Sequence, residues 1–449
     1  MGIARPFSPF AGGSHREGTR DHHLPLTIQR AAAALRNGQI SSAELTAALL
    51  ERIERLNPRL GAFITVTAES ALAAARRAEA DFAAGIDRGP LQGIPLCIKD
   101  IIATRDAPTT ANSHVLDRAW GANWDAPVVE RLRAAGAVLL GKTVTSEFAC
   151  GAPDPDKGFP IPRNPWDLER TPAGSSSGTG IAVAAGLTLG GLGTDTGGSV
   201  RGPASVNGHT GLKVTFGRVP KFGCVPLGYS LDTIGPMARS AYDCAILLKV
   251  MAGYDPRDPT CAAVEVPDYT AALTGEVKGL RVGVPTAYFY DAPGLDPEVR
   301  EAVVTAVKAL EAAGATVREV HVPHAAEAKE ANTITMVSEA FAYHRGDLAT
   351  KWQRYGRYTR TILARGAFYS GADYVQAQRF RSYFKKAVRD VMADLDVLIT
   401  PTSLTPAEKI AEMDMQRRML SPSFTGQWNL IGLPALAVPC GFSASGLPL

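Results

Sequence analysis

Long apolar runs are missing from this sequence. None of its stretches approaches the roughly 18 consecutive apolar residues that a membrane-spanning helix requires. The first residues are rich in glycine, histidine and arginine and have no apolar centre, so we expect no signal peptide. An excess of one charge is also missing, because the formal net charge of +3 is spread over 449 residues. We therefore expect neither a membrane nor a nucleic acid as a partner.

Cysteine is sparse and shows no ligand spacing. The six cysteines are scattered without a C-x-x-C pair, which argues against a zinc site or a thioredoxin-like motif. Most stand in apolar surroundings and are expected to be small buried side chains, which favours a reducing, cytoplasmic setting. The glycine-rich segment 193–201 lacks the phosphate-binding motif G-x-x-x-x-G-K-[ST], and no G-x-G-x-x-G opens a helix there, so we do not expect that segment to bind phosphate. The eight histidines do not suggest a metal site, and we expect no metal and no organic cofactor.

The remaining composition is that of a globular enzyme. Hydrophobic residues make up 45% of the chain, enough for a large core in one or two domains. Helical periodicity over 27–56, with an N-cap expected at Ser41 or Ser42, and over 68–84 alternates with short apolar runs over 93–101 and 137–143. This alternation predicts an α/β core with a largely buried sheet. Residues 1–25 are expected to form a flexible N-terminal tail.

The segment 172–217 is dense in glycine, serine and threonine but contains the apolar run 181–192. A flexible linker would stay polar throughout, so this segment is predicted to be loop, short helix, strand and loop. Its serine run matches G-x-S-x-G through Gly174, Ser176 and Gly178. A nucleophile elbow requires a strand directly before it. The preceding residues are rich in turn formers, so we interpret that match as accidental.

Lys99 lies near the end of the apolar run 93–101, which is predicted to be a strand. An isolated lysine at a strand end more often extends its amine to solvent. Burial would instead lower the pKa of Lys99, and a neutral amine can accept a proton.

The most specific segment is Gly193-Thr-Asp-Thr-Gly-Gly-Ser-Val-Arg201. Two glycines before Ser199 allow a tight turn whose N–H groups can face a developing oxyanion. Asp195 and Arg201 flank this turn and are expected to brace it without reacting.

Together these pieces resemble the amidase signature family over about residues 27–449. The resemblance implies an α/β fold in which a single large domain, 26–449, has a mixed central β-sheet covered by helices on both faces. It places the catalytic core at about 90–240 and a helical, substrate-side insertion at about 331–395.

The same resemblance implies the roles of the reacting groups. Ser199 is the nucleophile, Ser175 is a bridging serine held by a cis peptide bond, and Lys99 is the base. The N–H groups of Thr196, Gly197, Gly198 and Ser199 would hold the oxyanion. A histidine-based triad is the less favoured alternative.

Some positions depart from the family pattern. Ala173 and Ser177 replace glycines of the serine loop, and Val214 stands where proline is usual. The sequence also stops at Leu449, where the family usually continues into a closing strand and helix, so either the enzyme is short or the chain is truncated.

The substrate is less well specified. In the family the segment 145–151 approaches the scissile group, so Phe148, Cys150 and Gly151 are expected to bind substrate. The insertion is rich in aromatic residues, which would suit a bulky substrate. We therefore expect a cytoplasmic monomer or homodimer that hydrolyses small aryl or bulky apolar amides, and possibly carbamates (urethanes).

Two alternatives remain. One is the amidotransferase A subunit, which makes ammonia for a partner that modifies transfer RNA and usually carries glutamine where this chain has Gly202. The other is a non-catalytic binding protein on the same fold. The presence of Lys99, Ser175 and Ser199 argues against the latter.

Overall fold

The computed structural model describes residues 27–449, apart from the side chains of residues 415 and 416, so the expected tail 1–25 lies outside the described residues. The strands of the described part are β1 Phe63–Val66, β2 Pro95–Lys99, β3 Val138–Thr143, β4 Gly190–Asp195, β5 Thr210–Lys213, β6 Thr233–Ala238, β7 Arg281–Pro285, β8 Thr316–Val320, β9 Val397–Leu398 and β10 Ala435–Ala437. The α-helices are α1 Ile28–Arg36, α2 Ser42–Leu60, α3 Ala68–Ala83, α4 Pro127–Ala134, α5 Ser177–Ala184, α6 Arg201–Asn207, α7 Ala241–Met251, α8 Thr286–Phe289, α9 Pro297–Ala312, α10 Ala325–Lys351, α11 Arg357–Ala364, α12 Gly371–Val391, α13 Met415–Leu420 and α14 Gly426–Leu430.

A seven-stranded mixed sheet forms the centre of the fold, in the order β1-β3-β2-β4-β6-β5-β10. Strand β2 lies parallel to β3 and β4, while the other neighbours are antiparallel. Every residue of β2, β3, β4 and β6 is buried, so both faces of the central strands are covered. This confirms the predicted α/β fold with a mixed sheet. A smaller parallel sheet has the order β8-β7-β9.

The first predicted helix is two helices in the structure. The break follows Gly38, whose φ of +64° is a left-handed conformation that glycine adopts easily. Ser41 then caps α2: its hydroxyl accepts the N–H of Glu44 at 3.2 Å, and the Glu44 carboxylate accepts the N–H of Ser41 at 2.9 Å. This reciprocal capping box starts a new helix inside the region predicted as one.

The glycine- and serine-rich segment contains more regular structure than predicted. The short helix and strand are present as α5 and β4, but the expected final loop contains α6 and β5. Gly202 and Pro203 lower the helix propensity of α6. Proline is tolerated there because it stands in the first turn, where its missing N–H has no helical acceptor.

Long helices form the region predicted as an insertion. Helix α10 begins at Ala325, ahead of the predicted start near 331, and packs against α11, α12 and α14. The division into a catalytic core and this insertion stays a prediction. None of the helices in residues 27–449 combines the length and apolarity needed to cross a bilayer. The six cysteines carry free thiols, four of them buried.

Candidate active site

Lys99 lies at the end of the central strand β2 and is completely buried. Its Nζ donates to the hydroxyls of Ser175 at 2.7 Å, Thr194 at 2.8 Å and Ser176 at 3.0 Å. Three hydroxyls therefore surround the amine, and the residue predicted to be the base contacts the predicted bridging serine. The amine therefore does not extend to solvent, which was the alternative for an isolated lysine.

Burial lowers the pKa of Lys99 from 10.5 to about 7, and the nearby acidic groups of Cys224, Asp195 and Asp232 oppose this only partly. A large fraction of the amine is therefore neutral near pH 7. A neutral amine can accept a proton from the Ser175 hydroxyl, which lies within hydrogen-bond distance.

The serine loop between Lys99 and Ser199 is tied to both neighbouring segments. The Gly174–Ser175 peptide bond is cis. The carbonyl of Ser175 accepts the N–H of Ser146 at 3.2 Å, and the N–H of Ser176 donates to the carbonyl of Ser199 at 3.2 Å. Ser175 thus lies on a loop that contacts Lys99 on one side and the backbone of Ser199 on the other.

Asp195 organises the turn that carries Ser199. It ends β4, and its buried carboxylate accepts the N–H groups of Gly198 at 2.7 Å and Val200 at 3.2 Å. Two bonds of 3.0 Å join it to Arg201 Nε and Nη2, and Asn429 Nδ2 adds another at 2.9 Å. Burial alone would raise the pKa of Asp195, but the Arg201 charge and these bonds hold the pKa far below its usual range.

The backbone of the turn leaves three N–H groups without an acceptor in the described part of the chain, those of Thr196, Gly197 and Ser199. Gly198 departs from the expectation, because its N–H is already bonded to Asp195 and so is not free for an oxyanion. Glycine is needed at position 198 because the backbone φ of +133° is one that other residues rarely adopt, and because a Cβ there would lie only 2.5 Å from the Thr425 hydroxyl. The roles of the other three groups stay a prediction.

The segment predicted to bind substrate packs into the helical region. The buried ring of Phe148 meets the ring of His344 at a centroid distance of 4.4 Å and that of Tyr355 at 5.8 Å. The carbonyl of Cys150 accepts the Thr359 hydroxyl at 3.1 Å. A Cβ on Gly151 would meet the backbone nitrogen of Thr359 at 3.2 Å. These contacts are packing contacts, so a role of these residues in substrate binding stays a prediction.

Glu147 joins this segment to the helices. Its carboxylate accepts the Ser113 hydroxyl at 2.6 Å and the N–H of Gly356 at 2.7 Å. Burial raises the pKa of Glu147, partly offset by these bonds. Phe148 and Ala149, which follow, both have positive φ, at +50° and +59°. Strained backbone of this kind persists only where surrounding contacts hold it.

Sequence reasoning missed two of the hydroxyls around Lys99. Ser176 belongs to the motif interpreted as accidental, yet it bonds to Lys99 and also accepts the N–H of Thr194 at 3.1 Å. Thr194 lies in the most specific motif, which was the signal available in the sequence, but only the pairing of β4 with β2 brings its hydroxyl to Lys99.

A cavity of about 270 Å³ reaches Thr194, the hydroxyl partner of Lys99. Its lining mixes charged and aromatic side chains, among them Lys221, Asp232, Arg257 and Tyr343. Burial raises the pKa of Asp232, which accepts the Thr196 hydroxyl at 2.6 Å. The cavity therefore lies outside the serine loop and reaches the environment of Lys99 only through Thr194.

This fold and this histidine-free arrangement of lysine and serines define an amide hydrolase. Residues 44–449 match the family model described as Amidase, and the chain belongs to that family. It is 43% identical over 456 residues to the A subunit of the glutamyl-tRNA(Gln) amidotransferase of Chloroflexus aurantiacus, covering 96% of this chain and 92% of that protein.

Two solved structures show the same architecture. One, from a vestigial protein complex that bears on the origins of an s-triazine catabolic enzyme, has a TM-score of 0.87 at 31% identity and covers 94% of this chain and 93% of its own. The A subunit of the glutamyl-tRNA(Gln) amidotransferase of Thermotoga maritima has a TM-score of 0.80 at 33% identity, with 95% of this chain and 90% of its own covered.

These similarities correct two expectations. The main functional prediction, a hydrolase of aryl or bulky apolar amides and carbamates, is wrong, because the relatives at 40–44% identity are named as amidotransferase A subunits. The expected partners are wrong for the same reason: those names describe one part of an enzyme that acts on a transfer RNA, not a monomer or homodimer with only small-molecule partners.

Proposed function

We propose that this chain is a cytoplasmic, amidotransferase A-type subunit that hydrolyses a primary amide and supplies the released ammonia to a partner subunit that modifies transfer RNA. The observation that carries the chemistry is the 2.7 Å contact between the buried amine of Lys99 and the hydroxyl of Ser175, next to the turn of Ser199. The assignment to the A-subunit type is supported by relatives that match this chain over more than nine-tenths of its length.

The proposed reaction begins with proton transfer. Neutral Lys99 takes the proton of Ser175, which takes the proton of Ser199, and Ser199 Oγ attacks the amide carbon. The carbonyl oxygen becomes an oxyanion that the N–H groups of Thr196 and Gly197 can stabilise, each such donor typically being worth about 3 kcal/mol.

The tetrahedral intermediate then collapses and breaks the C–N bond. The proton held by Lys99 returns through Ser175 to the leaving nitrogen, which departs as ammonia and leaves an acyl group on Ser199. Water attacks this ester by the same relay and releases the carboxylic acid. The cavity that reaches Thr194 supports the proposal, because it offers a small neutral product a space on the lysine side of the site.

Gly202 is the position at which the chain departs from the A subunits it resembles. A Cβ built there would meet only the Cβ of Ala173, at 3.9 Å. The turn after Ser199 therefore borders open space where a glutamine side chain would otherwise stand. The amide that fits this space must be found by assay, with glutamine and asparagine as the first primary amides to test.

The first experiment measures ammonia release from a panel of primary amides by the wild-type chain and by Ser199→Ala. We expect Ser199→Ala to lose at least about 1000-fold in turnover while keeping the wild-type melting temperature. Ser205→Ala, on the short helix α6 that follows Ser199, is the matched control and is expected to remain active. Substantial turnover by Ser199→Ala would refute the assigned nucleophile.

The second experiment tests the assembly. The chain is combined with the other subunits of the Chloroflexus aurantiacus amidotransferase, and amidation of glutamyl-tRNA(Gln) is measured. We expect amidation that depends on Ser199. Ammonia release without any tRNA amidation would refute the assignment to the A-subunit type and leave the amidase chemistry intact.

A further inference from the structure

The carbonyl groups of the turn before Ser199 are held by donors from distant parts of the chain. Thr425, directly before α14, donates its hydroxyl to the carbonyl of Gly197 at 2.6 Å. Asn332, on α10, donates its Nδ2 to the carbonyl of Thr196 in a longer bond of 3.4 Å. Both side chains are buried or nearly so. Neither is part of the motif that carries the turn.

These bonds orient peptide planes. In a trans peptide the C=O and N–H groups point in opposite directions, so a donor on the carbonyl determines where the N–H points. The plane between Gly197 and Gly198 is held at both ends, by Thr425 on its carbonyl and by Asp195 on its N–H. The Asn332 bond in the same way directs the N–H of Gly197 away from α10.

Glycine makes such external support necessary. A glycine peptide rotates more freely than any other, because no Cβ restricts its backbone. The side chain of Thr425 is itself held in place, since its backbone carbonyl accepts Arg201 Nη1 at 3.0 Å and its hydroxyl lies 3.3 Å from that of Ser423. Thr425 is thus connected to the buried ion pair of Arg201 and Asp195.

We infer that Thr425 is a positioning residue for the oxyanion hole, because it holds the Gly197–Gly198 peptide that joins the N–H of Gly197 to Ser199. Asn332 supports the peptide that carries this N–H through a longer bond. This inference rests on the proposed roles of Ser199 and of the N–H groups before it. Thr425 acts through the peptide it holds, so it affects the transition state and leaves ground-state binding unchanged.

The test compares Thr425→Val, which keeps the shape and removes the hydroxyl, with Thr425→Ser, which keeps the hydroxyl. We expect Thr425→Val to lower kcat about tenfold with KM within about twofold. Thr425→Ser is expected to stay within about threefold of wild-type kcat. Ser423→Ala is the matched control, because its hydroxyl touches Thr425 and not the turn. Asn332→Leu is expected to lower kcat less than Thr425→Val does.

An aldehyde analogue of the substrate, which forms a tetrahedral adduct with Ser199, supplies a second readout. Its affinity is expected to fall in Thr425→Val by the same factor as kcat/KM. Wild-type kcat in Thr425→Val, a change confined to KM, or equal losses in Thr425→Val and Ser423→Ala would overturn the inference. Activity retained in Ser199→Ala would instead overturn the proposed function, so the two failures are distinguishable.

Discussion

Replacing Lys99 by methionine tests whether its amine is buried in a neutral form. In the unfolded chain the lysine binds a proton below about pH 10.5, whereas in the folded chain it does so only below about pH 7. Between these values the unfolded state binds more protons, so the free energy of unfolding falls as the pH falls from 10.5 to 7. Below pH 7 both states are protonated and the contribution no longer changes.

The size of the effect follows from this window. Each pH unit within it corresponds to about 1.4 kcal/mol. Because the folded chain is already half protonated at Lys99 at pH 7, the stability of Lys99→Met relative to wild type should rise by about 2 kcal/mol as the pH falls from 9 to 7. Hydroxyls left without the amine lower the stability of the variant equally at both pH values. Lys213, whose burial also lowers its pKa to about 7, is present in both proteins and cancels in the difference.

Urea denaturation of both proteins at pH 7, 8 and 9 measures this difference. A stability difference that does not vary with pH would refute a lowered pKa of Lys99. Activity supplies an independent check: kcat/KM of the wild type should be half-maximal near pH 7 and about one-tenth of its maximum at pH 6. An activity profile that stays flat down to pH 5 would argue against lysine as the base.

Two further predictions concern the turn around Ser199. Asp195→Asn leaves the buried Arg201 without its counter-charge, so we expect a loss of about 3–5 kcal/mol in the free energy of unfolding, measured with urea. A loss below about 1 kcal/mol would contradict a stabilising role of the Asp195–Arg201 ion pair. Gly202→Ala fills open space in a helix, so we expect a gain of about 0.5–1 kcal/mol, and a clear destabilisation in the same assay would show that the space is not free.

The central sheet was predictable in outline because its strands are short, continuous apolar runs. Strands β2 and β3 lie within the predicted runs 93–101 and 137–143, and each is buried along its whole length. Helix α6 was not predictable from propensity, since Gly202 and Pro203 are poor helix formers and the helix is stabilised by contacts with α5 and β5. The split between α1 and α2 depended on the reciprocal bonds of Ser41 and Glu44.

The function was harder to predict than the chemistry. The motifs around Lys99, Ser175 and Ser199 point to amide hydrolysis but are silent on what supplies or receives the products. Gly202 weighed against the amidotransferase A subunit, while the similarity over nearly the whole chain favours it. One side chain near the nucleophile is weak evidence for or against a partner, because partner recognition is spread over a surface.

The sequence by itself predicted which residues carry the chemistry, because Gly-Gly-Ser with a flanking Asp195 and Arg201 is a local pattern that orients backbone N–H groups within a few residues. The tertiary structure alone decided what surrounds those residues. Pairing of β2 with β4 brings Lys99 into a pocket of hydroxyls that lowers its pKa, since burial is a property of the whole core. Packing of α10 and α14 likewise brings Asn332 and Thr425 onto the turn from 136 and 228 residues away. No local pattern encodes such contacts, because they depend on where distant segments of the chain meet.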